Sequence, residues 1–288
     1  MAGPQQAPPR QGAAAPAQRL RVATYNIHKG LTAFGRRSRV AELRMALHRI
    51  DADIVFLQEV QERNERLARR EAARVGEPSR SSQLDVLASS GYEHRAYGVN
   101  AIYPHGHHGN AILSRLHIEH FANHDISDHI LERRGMLHAV ARLADGGRIH
   151  LICAHFGLAR RSRTRQAEWV AHFIEREIPD EAPLILAGDF NDWQRRVDRQ
   201  LRQRLGMQEV YDAGGEAGWV ERLMPWRRPI QVARTFPSLV PCLTLDRIYL
   251  RGLSALASRV PRGRAWAQCS DHAPLIADLE LPCHRLAA

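Results

Sequence analysis

The sequence predicts an α/β domain with mixed β-sheets, and two observations lead to that prediction. Short apolar runs of strand length alternate with stretches in which apolar residues recur every three or four positions, as on one face of a helix. In addition, Asp145-Gly146-Gly147 separates two strand-like runs and is a strong signal for a tight hairpin turn. Because hairpins pair strands antiparallel and helical crossovers pair them parallel, we expect the sheets to be mixed.

The first ninety residues predict two strands and several helical segments. Residues 20–27 half alternate between apolar and polar, as a strand does. Residues 39–50 carry apolar side chains at helical spacing, and residues 53–60 are rich in β-branched and apolar residues typical of a strand. Helical segments rich in arginine and glutamate are expected from there to Ser89, with a break near Gly76-Glu77-Pro78.

The rest of the chain predicts the hairpin, one long helix and further strands. Residues 163–178 form an amphipathic pattern typical of a helix, and residues 183–188 form the continuous apolar run of a buried strand. Residues 214–235 are the longest irregular stretch. The other strands are expected at residues 94–99, 110–114, 116–121, 135–143, 148–155, 244–251 and 273–281.

A single domain is expected over residues 19–283, since no interior linker is long or polar enough to divide it. Residues 1–18 are rich in Ala, Pro and Gln, which is typical of a disordered tail, and they lack the apolar core of a secretory signal. Residues 284–288 are expected to form a short C-terminal tail. The four cysteines are widely spaced, which argues against a zinc site and favours reduced thiols and a cytoplasmic location.

The composition excludes several classes of protein. The 288 residues are 44% hydrophobic and 25% charged, which is ordinary for a globular protein and unlike a disordered or collagen-like chain. No run approaches the roughly 18 apolar residues of a membrane-spanning helix. The net charge is +10, and Lys29 is the only lysine. The near absence of lysine is a general compositional bias and indicates no particular ligand. The net positive charge nevertheless attracts the protein to polyanions such as nucleic acid, an anionic membrane or a phosphorylated metabolite.

Polar and acidic residues stand repeatedly where a predicted strand ends. Asn26 and Glu59 follow the first two predicted strands, and Asp189 follows the buried strand predicted at residues 183–188. Strand ends lie on a rigid sheet, where side chains from distant parts of the chain can converge in one cleft. Each of these residues, taken alone, is as easily explained as a turn or core residue as it is by a functional role. The repetition of polar residues at strand ends indicates a functional site. The set comprises Asn26, Glu59, His155, Asp189, Asn191, Asp246, Asp271 and His272.

The chemistry of this set favours a hard divalent cation. Asn26, Glu59 and Asp271 offer oxygen ligands, which suit Mg²⁺ or Mn²⁺ better than Zn²⁺. Carboxylates gathered in one cleft repel each other unless a cation is bound between them. His155 and His272 have carboxylate neighbours and are suited to proton transfer or to holding phosphate oxygens.

Seven segments in order along the chain resemble the endonuclease/exonuclease/phosphatase superfamily of Mg-dependent phosphoesterases. Gly188-Asp189-Phe190-Asn191 and Ser270-Asp271-His272 are the most specific of them. The Asn26-Ile27-His28-Lys29-Gly30 form is most similar to the bacterial YbhP-like branch. The resemblance extends over nearly the whole chain and implies a four-layer α/β sandwich, in which helices flank two packed mixed sheets. The remaining segments contain Leu57-Gln58-Glu59-Val60, Gly109-Asn110-Ala111, Ala154-His155-Phe156 and Leu245-Asp246-Arg247.

The resemblance also implies which residues bind the metal and the substrate. Glu59 would be the principal ligand of Mg²⁺ or Mn²⁺, helped by Asn26 and Asp271. Asn191 would hold a phosphate oxygen, and Asn110 would contact the substrate.

Four further residues would carry the chemistry. Asp189 would orient or deprotonate the attacking water, although the pair of Asp246 and His272 is a rival for the base. Asp246 would fix the imidazole of His272, which would contact the scissile phosphate. His155 would stabilise the developing charge or protonate the leaving oxygen.

Two arginine clusters are expected at the rim of this cleft. Arg160 and Arg161 follow His155 closely, and Arg195 follows Asn191. These arginines could bind flanking phosphates of the substrate or could form ordinary solvated helix faces.

Two other segments have several interpretations. Residues 218–228 combine Trp219 and Trp226 with apolar residues and arginines, so they could stack on bases, enter a lipid interface or pack on the domain. Packing on the domain is the favoured interpretation. Gly106-His107-His108-Gly109 is expected to form a polar turn beside the cleft and not a metal site.

These features favour a Mg²⁺-dependent hydrolase of phosphodiesters, with DNA or RNA as the first substrate to test. One alternative is a hydrolase of phospholipids or inositol-type phosphates at an anionic membrane surface, which would use Trp219, Trp226 and the basic charge. Another is a non-catalytic polyanion-binding module, which is disfavoured because every matched position keeps a chemically competent side chain. The sequence indicates no protein partner and leaves open exo or endo action, the number of metals and the oligomeric state.

Overall fold

The structure is a computed structural model that describes residues 18–32, 37–65, 69, 82–130, 132–211 and 232–281. Several expectations lie outside these residues: the tails over residues 1–17 and 284–288, the helix break at 76–78, and the segment with Trp219 and Trp226. Gln18 lies within the first strand, one residue before the expected start of the domain.

The first sheet has six strands in the order β11-β12-β1-β2-β4-β3. β1 and β2 are parallel, with Asn26 opposite Gln58, and the other neighbours are antiparallel. The N-terminal half of the chain supplies four of the strands and its C-terminal end the other two. Their bounds are β1 (Gln18–Asn26), β2 (Ile54–Asn64), β3 (His94–Tyr103), β4 (Gly106–Ser114), β11 (Ser254–Arg259) and β12 (Leu275–Leu281).

The second sheet also has six strands, in the order β5-β6-β7-β8-β10-β9. β7 and β8 are parallel, and the predicted hairpin at Asp145-Gly146-Gly147 joins β6 to β7. Both sheets therefore mix parallel and antiparallel pairs, as the sequence predicts. The bounds are β5 (Ile118–Asp125), β6 (Gly135–Arg142), β7 (Arg148–His155), β8 (Leu184–Asp189), β9 (Gln208–Glu209) and β10 (Asp246–Arg251).

Helices cover the outer face of each sheet. α1 and α2 pack on the first sheet, and α3 and α4 pack on the second. No described helix is both long and apolar enough to cross a membrane. The helices are α1 (Val40–Ile50), α2 (Gln83–Ala88), α3 (Arg160–Glu177), α4 (Arg196–Leu205) and the short α5 (Arg264–Ala267).

Successive side chains of each strand point to opposite faces of its sheet, and this alternation produces the layered packing. In β1, Leu20 and Val22 enter the apolar cluster between the two sheets, whereas Tyr25 enters the cluster shared with α1. In β7, Leu151 lies between the sheets and Ile152 lies against α3. Both faces of each sheet are therefore buried. The result is helix, sheet, sheet, helix, which confirms the four-layer α/β sandwich.

Two local predictions are wrong, and strand pairing explains both. The helical pattern was expected to follow residue 60, but β2 continues to Asn64 because it pairs through bulges with β4. Residues 106–109 are not a turn, since they form the start of β4 and pair with both β2 and β3. Cross-strand pairing outweighs local propensity at these positions.

The sequence patterns do not predict α4 and β11, nor the shorter β9 and α5. In α4, Val197, Leu201 and Leu205 are buried at four-residue spacing, but arginines and polar residues dominate the segment around them. β11 consists of small and polar residues of weak strand propensity, and it forms only by pairing with β12 through a bulge after Ala255. Tertiary contacts stabilise both α4 and β11.

Candidate active site

Several predicted site residues meet at one end of the two sheets. β7 and β8 stop level with each other, with His155 opposite Asp189. β10 runs antiparallel beside β8 and starts at Asp246, which also pairs with Asp189. From the other sheet, Asn26 at the end of β1 donates its Nδ2 hydrogen to Asp189 Oδ2 at 3.0 Å. The ends of four strands from both sheets therefore supply one cluster.

Asp246 and His272 form a buried pair in this cluster. His272 Nδ1 lies 2.8 Å from Asp246 Oδ2, and Thr235 donates its hydroxyl to the same oxygen at 2.5 Å. The ring of Phe236 lies against the imidazole with centroids 4.9 Å apart. The carboxylate and the aromatic ring fix the plane of the imidazole, and the Nε2 atom of His272 is turned toward Asp189.

Asp189 lies between two histidines. Its Oδ2 atom is 3.7 Å from His155 Nε2 and 3.7 Å from His272 Nε2. Its Oδ1 atom accepts the backbone hydrogen of Asn191 at 2.9 Å. These distances place one buried carboxylate at the centre of the cluster, with fixed donors on both of its oxygens.

Burial and charge set the protonation of the cluster. Burial opposes a charge on His272, but the carboxylates of Asp246 and Asp189 outweigh it and raise the pKa of His272 to about 10. Burial raises the pKa of Asp189 to about 6, although the His272 charge opposes this shift. Burial and the nearby Arg134 cation lower the pKa of His155 well below its usual range. At neutral pH a protonated His272 and a neutral His155 therefore flank the same carboxylate.

Asn191 and Glu59 are among the site residues with a left-handed backbone, which costs free energy for residues other than glycine. Asn191 has φ +49°, and its Nδ2 donates to Phe156 O at 2.9 Å. Glu59 has φ +58°, directly after Gln58 of β2. Strain of this kind persists only where the surrounding structure enforces it, and it clusters at functional sites.

A second group lies nearer the solvent and centres on His28. His28 Nδ1 is 3.1 Å from Asp271 Oδ2, and Glu59 also acts on the imidazole. The hydrogen bond with Asp271 raises the pKa of His28 although burial opposes it. The structure thus places Glu59 and Asp271 around one imidazole, next to the buried cluster that holds Asn26.

Lys29, His108 and Arg134 belong to this outer region and, like His28, were not predicted as site residues. Lys29, Glu59 and Arg134 all influence the pKa of His108, which burial lowers to about 4. His108 Nδ1 is buried and has no hydrogen-bond partner among the described residues. A signal for Lys29 was available, because every other cation of the chain is arginine. The sequence placed His108 beside the cleft, within residues 106–109, but gave no role for it, and Arg134 carried no signal because tertiary contacts alone bring it here.

The residues expected to bind substrate have different positions. Arg160 and Arg161 are exposed at the start of α3. Arg195 does not face open solvent, because its guanidinium pairs with Asp198 at 3.0 Å and Glu209 at 3.3 Å. Its expected role in substrate binding therefore gives way to a structural one.

Asn110 connects the two sheets. It is fully buried, and its Nδ2 donates to Gly135 O at 2.8 Å and to Cys153 O at 3.3 Å. Both acceptors belong to the second sheet, whereas Asn110 belongs to β4 of the first. Its amide hydrogens are thus used within the fold, which argues against the expected contact with substrate.

The donor set fits a hard divalent cation. The carboxylates of Asp189 and Asp246 present ligand atoms within 4.8 Å of each other in the described part of the chain, and His272 lies in the same group but is protonated and therefore not itself a ligand. Asp246 Oδ1 is buried without a hydrogen-bond partner there. Glu59 and Asp271 add two more carboxylates beside this group. Oxygen-rich sites of this type suit Mg²⁺ or Mn²⁺.

Residues 23–272 match the Endonuclease/Exonuclease/phosphatase family. The chain belongs to this family. A curated relative, the uncharacterized protein YbhP of Escherichia coli (strain K12), is 40% identical over 263 residues, which cover 91% of this chain and 96% of that protein. The predicted resemblance to the YbhP-like branch of the family is therefore confirmed.

Solved structures of other proteins have the same fold. Mannosyl-6-phosphatase Bt3783 of Bacteroides thetaiotaomicron has a TM-score of 0.64 and 16% identity, covering 90% of this chain and 99% of that one. D. rerio TDP2 complexed with a single strand DNA product has a TM-score of 0.59 and 16% identity, covering 91% and 98%. At these identities the similarity extends to the fold and not to the substrate.

Proposed function

We propose that the protein is a divalent-metal-dependent phosphoesterase that hydrolyses a phosphodiester, with nucleic acid as its substrate. The observation that carries this proposal is Asp189, a buried carboxylate held 3.7 Å from the imidazoles of both His155 and His272. A carboxylate between two imidazoles can hold a water and accept its proton while both rings donate to a phosphate.

Glu59, Asp271 and Asn26 would hold the cation, which we propose to be Mg²⁺ with Mn²⁺ as a substitute. When bound, Mg²⁺ neutralises charge on the phosphate and on the departing oxygen. The outer position of Glu59 and Asp271, beside His28, supports their assignment as ligands at the cleft.

In the proposed reaction, each residue of the site has a separate role in the attack of water on the phosphate. Asp189 orients the water and takes its proton as the water oxygen attacks phosphorus. Asp246 positions His272 through Nδ1, and the Nε2 hydrogen of His272 is donated to a phosphate oxygen. His155 stabilises the leaving oxygen as its bond to phosphorus breaks, and Asn191 retains one amide hydrogen for the phosphate.

The proposed substrate class rests on charge. The net charge of +10 favours a polyanion. Among the structural neighbours, one is a mannosyl-6-phosphatase and another is a TDP2 complexed with a single strand DNA product, so the fold is compatible with nucleic acid without selecting it. The described cysteines, Cys153, Cys242 and Cys269, are free thiols, which supports the proposed cytoplasmic location.

A substrate panel tests this function. We expect the purified protein to hydrolyse a single-stranded oligonucleotide and bis(p-nitrophenyl) phosphate with Mg²⁺ or Mn²⁺, and EDTA to abolish both activities. Head-group release from phospholipid vesicles without oligonucleotide hydrolysis would contradict the nucleic-acid assignment and favour the membrane-surface alternative. Binding of oligonucleotide without hydrolysis of any substrate would contradict the enzyme assignment and favour a binding module.

Lys29 is expected to contact the substrate phosphate. It lies in a turn with φ +59°, and Gln83 Nε2 fixes that turn by donating to Lys29 O at 3.0 Å. Its charge acts on both His108 and His155. We expect Lys29→Met to lower kcat/KM by about 10- to 100-fold, since a hydrogen bond to a charged group contributes about 1.5–3 kcal/mol.

The matched variants separate the charge of Lys29 from its shape. Lys29→Arg keeps the charge but has a larger planar head, so we expect it to restore only part of the activity. Arg44→Met, which removes an exposed cation on α1, is the control and should change kcat/KM by less than about twofold. Full activity of Lys29→Met would show that Lys29 does not contact the substrate phosphate.

A further inference from the structure

Four arginines form a continuous basic surface next to the candidate active site. Arg160 and Arg161 at the start of α3 line a cavity of about 390 Å³, which Arg196 of α4 also lines, together with Thr164, Arg165 and one acidic residue, Glu168. Arg196 and Arg199 line an adjoining cavity of about 510 Å³. Because Arg196 belongs to both cavities, they form one groove, called here the arginine groove and defined by Arg160, Arg161, Arg196 and Arg199.

The arginines of this groove have no acidic partners. All four are exposed, and none forms an ion pair with a carboxylate of the described residues. Elsewhere on the same two helices arginines are paired, for example Arg204 with Glu175 at 2.6 Å. The positive charges of these four arginines outnumber the single carboxylate of Glu168 in the lining, so the groove has an excess of positive charge that favours a bound anion.

The groove adjoins the proposed catalytic residues. Arg160 follows His155 by five positions, and Arg196 follows Asn191 by five. Five residues span at most about 18 Å even when fully extended. A polynucleotide strand with one phosphate in the active site would therefore reach the groove within a few nucleotides.

Trp193 lies in the loop between the site and the groove and is suited to stacking. Its side chain is 48% exposed, and the guanidinium of Arg163 lies 4.7 Å from its ring centroid. Arg163 itself is buried and donates to Leu158 O at 2.5 Å. One side of the indole is thus supported by a fixed cation, and the exposed remainder can receive a base.

We infer that the arginine groove and Trp193 bind a single polynucleotide strand as it leaves the active site. The inference rests on the proposed function and adds the route of the strand. A concave row of arginines with a stacking ring beside it matches regularly spaced phosphates and unpaired bases. The flat face of an anionic bilayer is also attracted to exposed arginines, but it cannot enter a concavity, whereas a single strand can.

The test compares two double variants with the same change of charge. Arg160→Glu with Arg196→Glu alters the groove, and Arg44→Glu with Arg49→Glu alters two exposed arginines on α1, on the opposite side of the sandwich. Affinity for a fluorescently labelled oligo(dT) strand is measured by anisotropy in EDTA at several salt concentrations. Thermal unfolding of each variant shows whether it remains folded.

We expect the groove variant to bind oligo(dT) at least tenfold more weakly than the α1 variant. Loss of two phosphate contacts should also flatten the slope of log K against log salt by about 1.4. Trp193→Ala should weaken binding about 5- to 150-fold without changing that slope, because stacking contributes about 1–3 kcal/mol per base.

The outcomes distinguish this inference from the proposed function. Equal oligo(dT) affinity of the groove and α1 variants would overturn the groove, even if the unaltered protein hydrolyses bis(p-nitrophenyl) phosphate. Weaker binding by the groove variant would support the groove even if no substrate is hydrolysed, in which case only the proposed function fails. If the groove variant loses affinity for anionic vesicles but not for oligo(dT), the strand assignment is wrong.

Discussion

Replacing Asp189 by Asn is expected to lower kcat by about a thousandfold or more while the protein stays folded. Asn has nearly the same size and can still accept the backbone hydrogen of Asn191, but it cannot take a proton from water. Proton transfer by a positioned side chain contributes about 10²- to 10⁴-fold to a rate. Loss of the negative charge also removes one of the two carboxylates that pair with His272, since Asp189 lies 3.7 Å from its Nε2 and only Asp246 would remain.

The measurement is hydrolysis of bis(p-nitrophenyl) phosphate and of an oligonucleotide with Mg²⁺ at saturating substrate. Asp192→Asn is the matched control, because Asp192 is also buried but its Oδ2 accepts the backbone hydrogen of Asp198 at the start of α4. Asn can still accept that backbone hydrogen, so kcat should change by less than about threefold. A kcat of Asp189→Asn within tenfold of the unaltered value would exclude Asp189 as the proton acceptor.

The fold was largely predictable because its core follows periodicity. The hairpin at Asp145-Gly146-Gly147 and the apolar run of β8 are encoded within a few residues, and both are confirmed. By contrast, residues 61–64 and β11 adopt strands only because neighbouring strands pair with them. Local sequence carries no information on such pairing, so these elements were missed.

The candidate site was predictable to the extent that its residues follow strands. Asp189 and His155 end parallel neighbours, so their proximity follows from the sheet itself. His108 and Arg134 reach the cleft through tertiary packing. Arg195 shows the opposite error, since its place in the sequence suggested a substrate contact but buried carboxylates pair with it. Sequence position identifies candidates for a site, whereas burial and partners decide which of them face the cleft.

Behind the site, Arg247 is expected to be the costliest single charge to remove. Its side chain is fully buried, and its Nη1 lies 3.4 Å from Oε1 of Glu209, which is also fully buried. Its Nη2 donates to Asp192 O at 3.2 Å, so the guanidinium holds the loop that follows Asn191. When Arg247 is removed, Glu209 stays buried and keeps only one of its two cationic neighbours, Arg195.

We expect Arg247→Met to lower the free energy of unfolding by about 3–5 kcal/mol, the usual cost of an uncompensated buried charge. Urea unfolding followed by circular dichroism measures this change. Adding Glu209→Gln to Arg247→Met should recover more than about 1 kcal/mol, since the second change removes the stranded charge. Arg204→Met, which breaks the more exposed pair with Glu175, should cost less than about 1 kcal/mol. An Arg247→Met variant as stable as that control would show that the buried pair does not support the loop.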